Sequence, residues 1–335
     1  MLVNVGKLMS HTSTKGGVGV KHPFNPSLVD AWFMSGLSNS DKPTQIVGVK
    51  KNKLQLKNFA YALNSGFGEY ATDFNSWAHF NPIETTSNKI MLGGIGFRNI
   101  VTTKKAVPEL KILVSGFKDN IAYKYKTGGS FSNITINDNG VYTLPASEAI
   151  INTDTDINRL YTANASADYS GMAIELLPTA YEGALVFDGV DDYGICTGLP
   201  ILDDYTVICR RALENNAKNV VASKSVVVGN GAFIFEYGNN ATYSFSEYTS
   251  NLAVNLKDSV SYQTKNSYNG STITVGNTDD TDTLTLGIIR EGDSILLKGA
   301  IYYFALYNKS LTPEEVEEEK VKLENYWEGG KNELA

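Results

Sequence analysis

The chain has 335 residues, 42% hydrophobic and 19% charged, which is enough apolar content for two or three packed cores and too much for a disordered protein. A net charge of −7 speaks against a nucleic-acid partner, whose phosphates favour basic stripes. No apolar run is long enough to span a membrane, and two cysteines, Cys196 and Cys209, are too few for a disulfide scaffold and read as small buried apolar residues.

With 19 Tyr and 30 Gly among many Thr, Ser and Asn, the composition is all-β, since Tyr and Thr suit pleated surfaces while Gly and Asn supply turns. Residues 1–26 form an N-terminal arm rather than a domain, because "HTSTKGGVGVKHPFNP" cannot bury much. The arm is either a tail or a docking element pinned by another protein. In the second case Lys7, His11, Lys15, Lys21, His22 and Phe24 are its contact residues. It also lacks the apolar stretch and cleavage site of a secretory signal, so a route outward other than secretion is expected, cell lysis being one such route.

Residues 27–75 read as short strands broken by Ser, Asn and Gly turns, with Leu54, Leu56, Phe59 and Tyr61 in the core. Lys42, Lys50, Lys51, Lys53 and Lys57 cluster in this stretch, whereas the acidic excess sits at Glu314 to Glu319. Residues 88–180 predict a small immunoglobulin-like sandwich with strands in "LKILVSGF", "NIAYKYKT", "SNITINDNGVYTLP" and "GMAIELLP". Within it "NDNG" predicts a hairpin turn, and "INTDTDINRLYTANASADYSG" predicts a long polar loop with weak strand content.

From 183 to 327 the strands become denser, from "GALVFDG" to "LKGAIYYFALYN", and require two packed antiparallel sheets. A helix then starts at Leu311-Thr312-Pro313-Glu314-Glu315-Val316, with Thr312 and Glu315 as a capping box and Leu311 with Val316 as a hydrophobic staple. Val316, Leu323 and Trp327 share one face of it, and residues 328–335 are a tail.

Phe187-Asp188-Gly189-Val190-Asp191-Asp192-Tyr193, Gly299 to Tyr307 and Leu311 to Val316 resemble, in order and separation, the landmarks of the laminin-G-like, concanavalin-A-like lectin sandwich family. The resemblance covers about 145 residues directly, and "LVDAWFMSG" with "LQLKNFAY" is similar to the family's opening. It implies a jelly-roll sandwich that starts near Leu28, is interrupted by the smaller sandwich, and resumes at Gly183. "SGLSNSDKP" and "LQLKNFAYALNSGFGEYATDF" also resemble virion proteins of Bacteroides-infecting tailed phages, the crAss-like ones included.

Catalytic constellations are few. His11, His22 and His79 make neither a metal trio nor a nucleophile–base set, and Glu236 in "FIFEYG" is a lone acid where a glycoside hydrolase needs a carboxylate pair. No enzyme activity is expected. Asp188, Asp191 and Asp192 suit calcium or serve as acceptors in a tight turn, and no other cofactor is expected. The family's late-strand acid is here replaced within Ile301-Tyr302-Tyr303. Glycan contact would use aromatic faces beside Asn: Tyr237, Asn239, Asn240, Tyr243 and Tyr248 in one group, Tyr262, Asn266 and Tyr268 in another. Tyr at alternating strand positions is more often sandwich surface or core than a ligand platform, and "GNNATY" and "YNGST" also read as hairpin turns.

The resulting expectation is a non-enzymatic virion structural protein: a fibre, an appendage or a capsid-associated component. Its partners would be capsid or tail proteins through the arm, further copies of itself, and host-surface glycans, with no membrane or nucleic acid. The alternative is a bacterial surface carbohydrate-binding protein.

Overall fold

The computed structural model describes residues 23–80, 82–94, 99–214, 219–227, 230–239, 242–244, 252–273 and 281–333. The chain opens with β1 (Leu28–Phe33), β2 (Gln45–Val47), β3 (Lys53–Lys57) and β4 (Gly66–Glu69). Its middle gives β5 (Ala78–His79), β6 (Pro82–Thr85), β7 (Lys89–Leu92), β8 (Asn99–Thr103), β9 (Leu110–Ser115), β10 (Ile121–Thr127), β11 (Ser130–Ile136), β12 (Gly140–Leu144), β13 (Asn158–Thr162) and β14 (Ala173–Leu176). Then come β15 (Ala180–Asp188), β16 (Tyr193–Cys196), β17 (Thr206–Leu213), β18 (Asn219–Val227), β19 (Asn230–Asn239) and β20 (Thr242–Ser244). The last elements are β21 (Leu252–Ala253), β22 (Ser259–Thr264), β23 (Ser267–Tyr268), β24 (Ser271–Thr272), β25 (Leu284–Leu286), β26 (Lys298–Tyr307) and α1 (Pro313–Glu333). Among the described residues the protein is all-β apart from α1 and one short 3₁₀ turn at Phe74–Ser76.

Two eight-stranded antiparallel sheets make the larger sandwich. One, the helix-side sheet, runs β24-β23-β22-β17-β26-β15-β4, with β1 also paired to β26; the other, the far sheet, runs β2-β3-β16-β25-β18-β19-β20-β21. Strand β26 organises the first. It pairs with β17 along one edge, and shares the other between β15 (Phe187 opposite Gly299) and β1 (Trp32 opposite Phe304). All but the first of its residues are buried, as a strand covered on both faces requires. Ile301, Phe304 and Leu306 point into the core between the sheets, where Trp32, Leu54, Leu56, Phe187, Phe235 and Leu286 also meet. Ala300, Tyr303, Ala305 and Tyr307 point the other way, toward α1.

Strands β5 to β14 build a second sandwich of two five-stranded sheets, β11-β10-β13-β8-β5 and β12-β9-β14-β7-β6. It has its own core of Ile112, Tyr123, Leu160, Met172 and Ile174. Tyr70, Phe74 and Trp77 also belong to that core, ahead of the segment beginning at residue 88 that strand patterning marks out. The host chain leaves and returns at one place, since Glu69 and Ala180 are ladder partners between β4 and β15.

Two expectations for this region change. Residues 151–171 hold a full strand rather than weak strand content in a long loop, because β13 lies within them as the middle strand of its sheet, between β10 and β8. Its inward residues include Asn158 and Thr162, whose polarity hides the alternation; Asn158 is buried but satisfied by Ser147 Oγ and the carbonyls of Lys105 and Glu148. "NDNG" is a corner rather than a hairpin, since the strands it joins, β11 and β12, sit in different sheets. The turn chemistry is right (Gly140 has φ 146°), but turn chemistry alone does not say which sheet the next strand joins.

Helix α1 begins as the capping-box pattern dictates. The Thr312 hydroxyl accepts the Glu315 N–H at 3.2 Å, and the Glu315 carboxylate accepts the Thr312 N–H at 2.9 Å. Leu311, Val316, Leu323 and Trp327 pack onto the helix-side sheet. Arg210 on β17 clamps the docked helix. Its guanidinium lies 4.6 Å from the Tyr302 ring centre and 4.5 Å from that of Trp327, while bonding Asp258 at 2.8 Å and Glu324 at 2.9 Å.

Candidate functional site

The sharpest cluster of acidic groups is the turn between β15 and β16. Gly189, at φ 78°, reverses the chain there, and Asp188 Oδ1 accepts the N–H groups of Val190 at 2.7 Å and Asp191 at 3.4 Å. Asp192 is fully buried beneath the turn, accepting Ser65 Oγ at 3.0 Å and the Asp188 N–H at 3.1 Å. Burial pushes the Asp192 carboxyl up to about 7, and the neighbouring Asp188 and Asp191 charges add to this against the two hydrogen bonds.

Oxygens of Asp188, Asp191 and Asp192 come within 4.8 Å of one another, a hard-oxygen set of the kind calcium takes. Much of that set is already engaged in the fold. Both Asp192 oxygens and one Asp188 oxygen accept bonds from the turn and from the loop before β4. The late strand adds no acid, since Ile301 is core, Tyr302 packs edge-on against Trp327, and Tyr303 donates its hydroxyl to Glu324 at 2.8 Å. The geometry is that of a turn lock, with Asp191 as its exposed carboxylate.

Glu236, read from the sequence as an acid without a catalytic partner, lies in the core rather than in a cleft. It is fully buried on β19 with a left-handed backbone (φ 53°), and its carboxylate meets the Arg211 guanidinium at 2.6 Å through two parallel bonds. The Ser261 and Tyr268 hydroxyls also donate to it, at 2.6 and 2.7 Å. Arg211 and Ser261 come from the helix-side sheet and Glu236 from the far sheet, so the network bridges the sandwich core. Burial by itself lowers the Arg211 pKa, but the Glu236 charge and bonds outweigh it and hold the guanidinium above its ordinary value. A carboxylate so buried, with both oxygens taken up by Arg211, Ser261 and Tyr268, lacks the access to substrate that a general acid needs. Sequence spacing gave no sign of this group, because Arg211 and Glu236 are brought together only when the sheets stack.

The second aromatic group is not an exposed platform. Tyr262 is buried under α1, with Lys320 Nζ 4.8 Å from its ring centre, and Tyr268 is buried with its hydroxyl spent on Glu236. Asn266 is exposed in the tight β22–β23 turn, where its carbonyl accepts the Ile273 N–H at 3.0 Å. Of the first group, Tyr237 and Asn239 lie on β19 and Tyr243 on β20; their side chains, and Asn240 and Tyr248 altogether, lie outside the described residues.

Lys7, His11, Lys15, Lys21 and His22 also lie outside the described residues. Phe24 does not belong to a free arm. It is buried against Phe33 and Tyr326, at ring-centre distances of 6.4 and 5.6 Å, so the apolar residue nearest the arm is part of the helix-side layer.

A groove of about 250 Å³ lies where the two sandwiches join, between Ser38, Phe67, Tyr70, Pro178 and Glu182. Burial raises the Tyr70 hydroxyl to about 12, so it stays protonated at neutral pH. The groove falls below the ordinary size of a small-molecule site and offers one carboxylate. No protein family, curated protein or solved structure matches this chain.

Proposed function

We propose that the chain is a non-enzymatic virion structural protein. Residues 1–22 would dock it onto capsid or tail proteins, and the larger sandwich would act as a lectin-like outward module. The observation that carries the reading is the mutual placement of the residues behind the family resemblance. Phe187 pairs with Gly299, the Asp188–Asp192 turn follows directly, and the β26 strand runs on into the Leu311–Val316 helix start. Consistent with a binding rather than a catalytic role, Glu236 is consumed by Arg211, Ser261 and Tyr268. Glycan contact, if made, falls to the β19–β20 region, since Tyr262 and Tyr268 are interior.

The test is a pull-down from purified virions with the intact chain and with a chain lacking residues 1–22. The cut leaves Phe24 in place because that ring is core. Capsid or tail proteins should be recovered with the intact chain only. If neither form recovers a virion protein while both retain polysaccharide, the chain is a surface carbohydrate-binding protein instead.

A further inference from the structure

Two outer patches of the larger sandwich differ in charge, one basic on β2 and β3 and one acidic on α1. On the far sheet Ile46, Leu54 and Leu56 point into the core, so Gln45, Val47, Lys53, Gln55 and Lys57 point outward from β2 and β3. Lys50 and Lys51 are exposed at the turn joining these strands. None of the four lysines forms an ion pair among the described residues, in a chain whose net charge is −7. At the sheet edge Val47 stands 49% exposed, paired across from Lys53.

On the opposite side of the sandwich, α1 buries Val316, Leu323 and Trp327 and so turns the reverse stripe to water. That stripe reads Glu314, Glu318, Val321, Asn325 and Glu328, all exposed. The three glutamates form no ion pair among the described residues, and Val321 at its centre is 60% exposed. Each patch thus has an exposed apolar residue beside unpaired charges, basic next to Val47 and acidic next to Val321, the arrangement of an interface core and rim, with Glu291 farther out on the far face, bonded to Tyr193. The outward side chains of β2 and β3 and the stripe of α1 lie on opposite faces of the sandwich, while the turn with Lys50 and Lys51 folds over its edge onto Asp30 and Ala31 of β1, so Lys53 and Lys57 cannot reach the α1 stripe of their own copy.

We infer that copies of this chain associate head to tail, the outer face of β2 and β3 on one copy receiving α1 of the next. Val321 then meets Val47, and Glu318 and Glu328 meet Lys53 and Lys57. Because the two patches differ and face opposite ways, the contact is heterologous and builds rows rather than closed two-fold dimers. It does not depend on the proposed virion role.

The test uses the full chain in sedimentation velocity at about 0.05 M and about 0.5 M salt, which bracket the ~10 Å screening length near 0.1 M. The wild type should form a concentration-dependent series beyond the dimer at low salt and lose it at high salt. K53E/K57E and E318K/E328K, which leave the first turn of α1 intact, should each weaken association about tenfold or more. An equimolar mixture of the two should associate again, because each variant's altered surface then meets the other's complementary one. K53Q/K57Q serves as the milder variant should either reversal perturb folding by circular dichroism. A wild type that stays monomeric at both salts, variants that associate undiminished, or a folded mixture that stays monomeric each overturns the inference.

Discussion

Single residues here act through burial more than through chemistry. Asp192 is the clearest case. In the unfolded chain its carboxyl titrates near ~3.9, but under the β15–β16 turn it titrates at about 7. Between those values the folded state holds a proton that the unfolded state has released. Its contribution to stability is therefore full below about pH 4, falls as pH rises toward 7, and is level above that. Asp192→Asn should flatten this part of the stability–pH curve, measured by urea unfolding at several pH values in the presence of a chelator. An unchanged slope would mean that the carboxylate is less confined than its Ser65 and Asp188 bonds indicate. The Arg211–Glu236 pair is the opposite case, two buried charges that satisfy each other and leave none over for a ligand.

Elements hold together through specific seams, and the α1 seam carries the most. Its start was legible from residues 311–316 alone, because capping requires only local spacing. Its docking was legible in part. The apolar face of Val316, Leu323 and Trp327 follows from periodicity, whereas the Arg210 clamp between Tyr302, Trp327, Asp258 and Glu324 joins residues far apart in the chain, from Asp258 at 48 positions to Glu324 at 114 and Trp327 beyond it. Trp327→Ala should cost about 3–5 kcal/mol and Thr312→Ala about 1 kcal/mol in denaturant unfolding. Equal costs would mean that capping, not docking, holds the helix. Strand β13 shows the reverse limit, since its inward Asn158 and Thr162 break the hydrophobic alternation on which strand reading depends.

At the scale of the whole molecule, two cores in one chain predict two units of stability. The larger core is gathered from β1–β4 and β15–β26, and the smaller from residues around Tyr70 to Leu176. Because Glu69 and Ala180 are already ladder partners, replacing residues 70–179 by a short turn should leave the host sandwich folded. Calorimetry should then show one transition where the full chain shows two. Loss of all cooperative unfolding would show that the host depends on its insert.

The all-β class, the helix start and the long apolar run of β26 were written in composition, turn residues and periodicity, because these express local preferences of the backbone. Candidate sites were less legible. Tyr262, Tyr268 and Phe24 have the chemistry of contact residues, but chemistry does not reveal which face of a strand meets the core or what a helix later covers. Glu236 reads alone in sequence and becomes a saturated ion pair only through the stacking of two sheets. The basic face of β2 and β3 and the acidic stripe of α1 were visible as charge clusters. That they lie on opposite sides of one sandwich was decided by the tertiary structure, since strand order in a sheet depends on long-range pairing that no local preference encodes.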